Sequence, residues 1–416
     1  MPELPAHGRS RDDVIAELDS KRARDARWRE GRTFGLVFDG GPEVHAVAEA
    51  AQLLYMHENA LNPLAFPSLG QIQSEVVDVC AHLFHGEPEA SGFMTSGGTE
   101  SILMAVKAAR ERGRAEGGIE HPSMVIPESA HAAFHKAGHY FGVEVRKIGV
   151  RPDWRADVDA MADAITDDTV LVVGSAPQYP QGVIDPIPEL AALAAAAGAN
   201  FHTDACMGGF VLPFLESLGE TVAPWDFRVE GVTSISADLH KLGYAPKGAS
   251  VILHRTKELR QWQTFVFDDW LGGFYASPNM QGSRPGAPMA SAWAVLQHLG
   301  RDGYEHLTRV AVDTCREIVT GIREIPGLAV LGEPDAHLFA LNSDDNTLDV
   351  FALGDALKAR GGWYLDRQSP PDSLHATVSA GNAPVAGELL ADLRACVQAV
   401  RGDRADDRTT NYATLE

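Results

Sequence analysis

Apolar positions along this chain change their spacing several times. Over 68–83 they fall at Ile72, Val76, Val79 and Leu83, the interval of a helix with one buried face. Short apolar runs follow at 93–95, 124–126, 170–173, 200–204, 232–236 and 250–254, and they read as buried strands. A helix leaves the first run through Ile102, Leu103, Val106 and Ala109. Another spans 186–197, with proline near its start and Gly198 at its stop. Strands separated by helices predict an α/β fold with a mostly parallel sheet covered on both faces.

Near residue 300 the texture changes. A long helix over 304–325, apolar runs at 328–331, 337–341 and 374–378, and helices over 349–360 and 383–400 predict a smaller α+β unit. Residues 1–60 read as an arm. Its first helix, 12–29, is densely charged, with apolar positions only at Val14, Ile15, Leu18 and Trp28, the pattern of a helix that leans on a partner. A second helix is predicted over 42–58. The expected division is an arm (1–60), a large domain (61–300), a small domain (301–405) and a tail (406–416), with the charged end from Arg401 onward frayed.

Charge and composition narrow the function classes. The 416 residues carry a formal net charge of −22 and no basic run, so a nucleic-acid or anionic-membrane partner is not expected. Cys80, Cys206, Cys315 and Cys396 are scattered without a Cys-x-x-Cys pair, which points to a reducing compartment and no zinc site. No apolar run reaches the ~18 residues of a bilayer span. The start of the chain, with Arg9, Arg11, Asp12 and Asp13, lacks a signal peptide's apolar stretch. A cytoplasmic protein is expected.

Four stretches carry candidate chemistry. In 234–248 a strand releases His240 and Lys241 into a loop, with Lys247 six residues on. Desolvation and a neighbouring cation both lower an ammonium pKa, as an amine needs before it joins a carbonyl cofactor. A loop lysine held for packing is the competing reading. In 95–100, the Gly97-Gly98 pair, the hydroxyls of Ser96 and Thr99 and the following helix's first amides suit a phosphate. The alternative there is a plain helix start after a tight turn. His131, among small residues after a strand, could stack on an aromatic ring or be a structural histidine. Asp204, ending an apolar strand, could face a pyridine nitrogen and keep it protonated, or cap a helix. Together these make a complete pyridoxal phosphate site: phosphate cup, ring stacker, ring-nitrogen carboxylate and Schiff-base lysine.

The same stretches, 95–104, 129–134, 204–210 and 231–238, with His240-Lys241, 243–248, 273–278 and 282–286, resemble the sphingosine-1-phosphate lyase family, from about residue 35 to 400. That family is a decarboxylase-like branch of the aspartate aminotransferase fold (fold type I). The resemblance implies pyridoxal 5'-phosphate as cofactor and a homodimer with active sites at the subunit interface. It implies that Lys241 carries the cofactor, Asp204 meets the ring nitrogen and His131 stacks on the ring. Gly97, Gly98, Thr99, Ser236 and His240 would hold the phosphate, with Gly282 and Ser283 reaching over from the neighbouring subunit. Tyr244, Lys247, Asn62 and Phe38 fall at the substrate.

Two departures bear on the substrate. The lyases continue from Asn-Pro-Leu through His-Pro-Asp to Phe-Pro, whereas here Asn62-Pro63-Leu64 passes directly to Ala65-Phe66-Pro67, so that histidine is deleted. A tyrosine of the family aligns with Phe38, which has no hydroxyl. Both lost groups are substrate-phosphate ligands by resemblance, each hydrogen bond to a charged group being worth about 1.5–3 kcal/mol. The membrane anchor of eukaryotic members has no counterpart, as a soluble bacterial-type version requires. The expected activity is a pyridoxal phosphate-dependent carbon–carbon lyase acting on a 2-amino-3-hydroxy substrate and releasing an aldehyde and an amine. An amino-acid α-decarboxylase and a non-catalytic protein of the same fold are the alternatives.

Overall fold

The computed structural model describes residues 1 and 3–410. Seven strands form the main sheet: β1 (Ser91–Thr95), β2 (Ser123–Pro127), β3 (Glu144–Ile148), β4 (Thr169–Ser175), β5 (Asn200–Asp204), β6 (Ser234–Ala237) and β7 (Ser250–His254). Their order is β1-β7-β6-β5-β4-β2-β3. β7 runs antiparallel to both neighbours, and the pairings from β6 to β3 are parallel. The carboxyl ends of β1, β2, β4, β5 and β6 therefore share one edge, where open α/β sheets bind their ligands.

Alternation along each strand builds two cores. Val125, Val172, Phe201, Ile235 and Leu253 join one apolar cluster, while Met124, Ile126, Leu171, Val173 and Ile252 join another. Successive side chains point to opposite faces, so both faces are covered, as the apolar runs predict. β3 escaped the sequence reading because it is the edge strand. Its Glu144, Arg146 and Lys147 are exposed or half-buried, the composition that protects a sheet edge.

A hairpin, β8 (Phe265–Phe267) and β9 (Tyr275–Ser277), follows the sheet. A second sheet holds β10 (Leu328–Val330), β11 (Leu338–Ser343), β12 (Asp366–Gln368) and β13 (Ser373–Thr377) in the antiparallel order β10-β11-β13-β12. The helix expected over 304–325 is the second half of Gly286–Arg323, which is broken at Gly300 (φ 56°, ψ −169°). Its first half packs on the large core through Met289, Ala292 and Val295. Its second half packs on the smaller core through Cys315, Ile318 and Ile322.

The helix expected over 12–29 stops at Lys21. Arg11–Lys21 buries no side chain and starts at Ser10, whose hydroxyl accepts the Asp13 amide at 3.1 Å. The helix expected over 42–58 is Pro42–Leu54 and packs on Gly286–Arg323. Phe34 is fully buried in the smaller core beside Trp363. Frayed ends are not found over 401–410. Arg408 pairs with Asp349 at 2.6 Å and with Asp372, and Arg367 donates to the Asp407 carbonyl at 2.6 Å. The rest of the expected tail, 411–416, lies outside the described residues. Among the described residues no helix is long and apolar enough to cross a membrane.

Burial depresses four interior histidines from 6.5, to about 4 for His202 and His254 and about 3 for His337 and His375. The unfolded chain then binds more protons than the folded one below pH 6.5, so stability present above that pH is lost as pH falls towards 4 and 3. Asp185, pushed up to about 6 by burial, works in the opposite sense. With His240 of the site also lowered to about 4, urea unfolding followed from pH 7.5 to 5 should show a falling midpoint, with about four protons taken up on unfolding at pH 5. A flat profile would mean that these histidines already protonate in the folded state.

Candidate active site

The carboxyl ends of β1, β4, β5 and β6 enclose a cavity of about 250 Å³. β1 leads through Ser96 into Gly97, the start of helix Gly98–Gly117, whose first turn no side chain caps. Its leading N–H groups are therefore available to an anion at the positive end of the helix dipole. Ser96 does not contribute its hydroxyl as expected: its amide and Oγ both donate to Glu100 Oε2, at 2.6 and 2.8 Å. Glu100 Oε1 in turn accepts the Met280 amide at 2.8 Å. Thr99 and both glycines line the cavity. A Cβ on Gly97 would lie 3.1 Å from His240 Cε1, and one on Gly98 would lie 2.8 Å from both Asp238 Oδ2 and Cys206 Sγ.

β6 ends at Ala237 and delivers Asp238, 2% exposed, into the cavity wall. Lys241 Nζ lies 3.0 Å from Asp238 Oδ2, and His240 Nε2 lies 3.6 Å from the same oxygen. Burial raises the Asp238 pKa, but Lys241 and His240 outweigh it and hold the carboxyl below its ordinary value. Burial lowers His240 to about 4 against the pull of Asp238. Its Nδ1 accepts the Gly248 and Ala249 amides at 3.4 and 3.2 Å, which leaves the proton on Nε2 beside Gly97.

Asp204 ends β5, and its Oδ1 accepts the Cys206 amide at 3.1 Å and the Ser236 hydroxyl at 3.2 Å. Ser236 lies fully buried behind this wall, also 3.0 Å from His202 Nε2, and does not line the cavity. His131, past β2, accepts the Ala133 amide on Nδ1 at 3.1 Å. Burial lowers its pKa, keeping the imidazole neutral with its proton on Nε2.

The expected substrate residues fall outside this wall. Tyr244 is buried in a left-handed conformation (φ 57°), and a Cβ on Gly40 would press on its ring at 3.1 Å. Lys247 donates to the His240 carbonyl at 2.8 Å and lies 4.7 Å over the Phe38 ring. Desolvation, then repulsion from Lys241, lowers this ammonium to about 8, although the side chain keeps a solvent-facing side. Asn62 sits on an exposed loop, and Gly282 and Ser283 on another. Asn59 joins the two, donating to Ser283 Oγ at 3.1 Å and accepting the Arg284 amide at 3.2 Å. Neither loop reaches the cavity of its own chain.

Among the wall residues given no role from the sequence are Glu100, Cys206, Asp238 and Tyr179. Asp238 carries a legible signal, a carboxylate between a buried strand and a paired lysine. Tyr179 had only its place between two prolines after β4. Its hydroxyl donates to Asp366 Oδ2 at 2.7 Å, and its ring packs on His375 with centroids 4.0 Å apart. The uncapped helix start, the two glycines in the cradle, an amine and a carboxylate on one wall and a neutral imidazole fit pyridoxal phosphate.

Residues 28–339 match the family described as the pyridoxal-dependent decarboxylase conserved domain. The chain is 42% identical over 416 residues to sphingosine-1-phosphate lyase 1 of Rattus norvegicus, covering 99% of this chain and 72% of that protein. It is 42% identical over 409 residues to sphingosine-1-phosphate lyase of Oryza sativa subsp. japonica, covering 96% and 75%. Among solved structures, sphingosine-1-phosphate lyase of Burkholderia pseudomallei K96243 has a TM-score of 0.92 at 40% identity, covering 96% of this chain and 93% of that one. Glutamate decarboxylase of Lactobacillus brevis shares the fold, with a TM-score of 0.85 at 20% identity, covering 97% and 96%.

Gly98→Ala adds a methyl where Asp238 and Cys206 already stand, on a helix position that tolerates alanine. That overlap has to be relieved by a shift of the buried wall, so the variant should lose several degrees of thermal midpoint and bind pyridoxal phosphate about tenfold or more weakly, read by titration of folded apoprotein. Unchanged affinity would show that the cofactor does not use this cradle.

Proposed function

Since the chain belongs to the sphingosine-1-phosphate lyase family of pyridoxal-dependent enzymes, we propose that it breaks the C2–C3 bond of a phosphorylated 2-amino-3-hydroxy long-chain base, releasing a fatty aldehyde and phosphoethanolamine. The observation that carries this reading is the meeting of Lys241, Asp204 and the Gly97–Thr99 cup on one cavity. Pyridoxal phosphate, when bound, supplies an aldehyde that an amine can join and a ring that accepts the electron pair of the broken bond.

In this reading the Lys241 amine would hold the cofactor. Asp238 keeps the Lys241 side chain at the end of β6, 3.0 Å away, ready to receive the displaced amine. Asp204, its orientation fixed by the Cys206 amide and the Ser236 hydroxyl, would hold a proton on the ring nitrogen. His131, a neutral imidazole in the cavity wall, would pack against the ring and exclude water there. The amides of the Gly98 helix and the Nε2–H of His240 bind the phosphate. The proton returned to the product carbon is assigned to Lys241 rather than to Tyr244, because Tyr244 is buried beneath Gly40, outside the cavity wall.

Homodimer formation is part of the same proposal. Asn62, Gly282 and Ser283 are carried on loops away from their own cavity, tied together through Asn59, and flanked by the exposed Leu61 and Leu64. These loops would complete the neighbour's site. The four cysteines are free and buried, in keeping with a cytoplasmic setting. One observation favours amino-acid decarboxylation as a second reading. Lys247, the cation left for a substrate phosphate, is engaged by the His240 carbonyl and the Phe38 ring.

Borohydride reduction of holoenzyme and peptide mapping should place the pyridoxyl group on Lys241, and a label elsewhere would remove the scheme. Mass spectrometry after mixing holoenzyme with a phosphorylated long-chain base should find phosphoethanolamine and aldehyde, both lost in Lys241→Ala. Carbon dioxide from amino acids without these products would establish the decarboxylase instead. Phe38→Tyr restores a hydroxyl beside Lys247 and should lower KM for the phosphorylated base about threefold or more. A tenfold rise would mean that this corner is shaped for an apolar group.

A further inference from the structure

A second cavity, of about 460 Å³, adjoins the first and shares His131 and Tyr179 with it. Loops after β2, β3 and β4 and the segment leaving β12 form its walls. The first cavity is bounded by the groups assigned to the cofactor and has no room for a long hydrocarbon chain. His131 and Tyr179 stand between it and the second space.

The lining of that space is suited to an apolar occupant. Ala132, Val150, Trp154, Pro180 and Pro370 present apolar surface. Several of the polar groups around them already have partners within the protein, whereas Ser129 Oγ is buried without one. Arg367 binds Asp355 and the Phe351 and Asp407 carbonyls, Glu128 accepts the Val150 amide at 3.3 Å, and Gln181 Oε1 accepts from Gln178 at 2.9 Å. Lys147 stands exposed at the rim. Trp154 is held against its backbone preference at φ 67°, a conformation that large residues adopt only when their surroundings enforce it. Its amide donates to the Arg151 carbonyl at 2.8 Å, its carbonyl accepts Gln178 Nε2 at 3.4 Å, and Gly332 leaves room for the indole where a Cβ would come within 3.0 Å of Cδ1.

We infer that this second cavity receives the unbranched apolar chain of the substrate, with Val150 and Trp154 setting the chain length the enzyme accepts. The inference rests on the long-chain substrate proposed above and adds where that chain lies. Each further buried methylene strengthens binding about fourfold, so preference for long chains depends on an open path here.

The test compares kcat/KM of holoenzyme for phosphorylated bases of long and short chain in wild type, Val150→Trp and Trp154→Ala. Val150→Trp fills the path and should lower kcat/KM for the long base about tenfold while leaving the short base within about twofold. Trp154→Ala removes a wall and should raise KM for the long base alone. Calorimetry supplies a readout independent of turnover: a long-chain alcohol should bind wild type and bind Val150→Trp about tenfold more weakly. Wild type that favours long bases, with both variants unchanged or impaired equally on both bases, would overturn the inference and leave the lyase activity standing. Wild type that cleaves neither base would overturn the proposed substrate, and this inference with it.

Discussion

One buried carboxylate holds the site together. Asp238 is almost wholly removed from solvent, and a charge in that position survives only where opposite charge and hydrogen bonds replace the lost water. Lys241 supplies the opposite charge from the next turn of chain, 3.0 Å away, with the neutral His240 ring packed beside the same oxygen. Removing one member of such a buried pair typically costs about 3–5 kcal/mol. Gly98 can approach Asp238 and Cys206 only because it has no side chain, which brings the helix start to the same point. The cradle, the amine and the imidazole thus converge on one ion pair at the end of β6.

The elements divide by rigidity. Groups assigned to the cofactor stand at strand ends and at a helix start, where the sheet's hydrogen bonding and two apolar cores fix them. Groups expected from loops stand apart: Asn62 and the Phe38 segment at the substrate, and Gly282 and Ser283 at the neighbour's cofactor phosphate. The fold shared with a glutamate decarboxylase at 20% identity fits this division, since the sheet is common and the loops are free to differ.

Much of this was legible in the sequence because strand burial and glycine placement leave strong local signals. Asn200–Asp204 and Ser250–His254 were found with both ends as observed, being continuous runs buried on both faces. Gly98 and Lys241 announced themselves by residue type and by position after a strand. β3 did not, because an edge strand carries charges, and neither did β12, whose Asp366 and Arg367 look like loop residues until their partners are known. The first half of Gly286–Arg323 was hidden by Gly286, Pro288 and Gly300, residues that locally argue against a helix. Ser96 suggested a phosphate ligand by type, and only its geometry assigned it to Glu100. Tyr179 and Asp366 are 187 residues apart, and no local pattern could have paired them.

That last contact joins the two sheets. Asp366 and His375 belong to the small antiparallel sheet, yet they hold the ring and hydroxyl of a residue in the wall of both cavities. Occupancy of the wall and docking of the small sheet are therefore thermodynamically reciprocal: whatever steadies Tyr179 steadies the sheet, and by the same amount. A ligand that rests on Tyr179 would act on the small sheet from within.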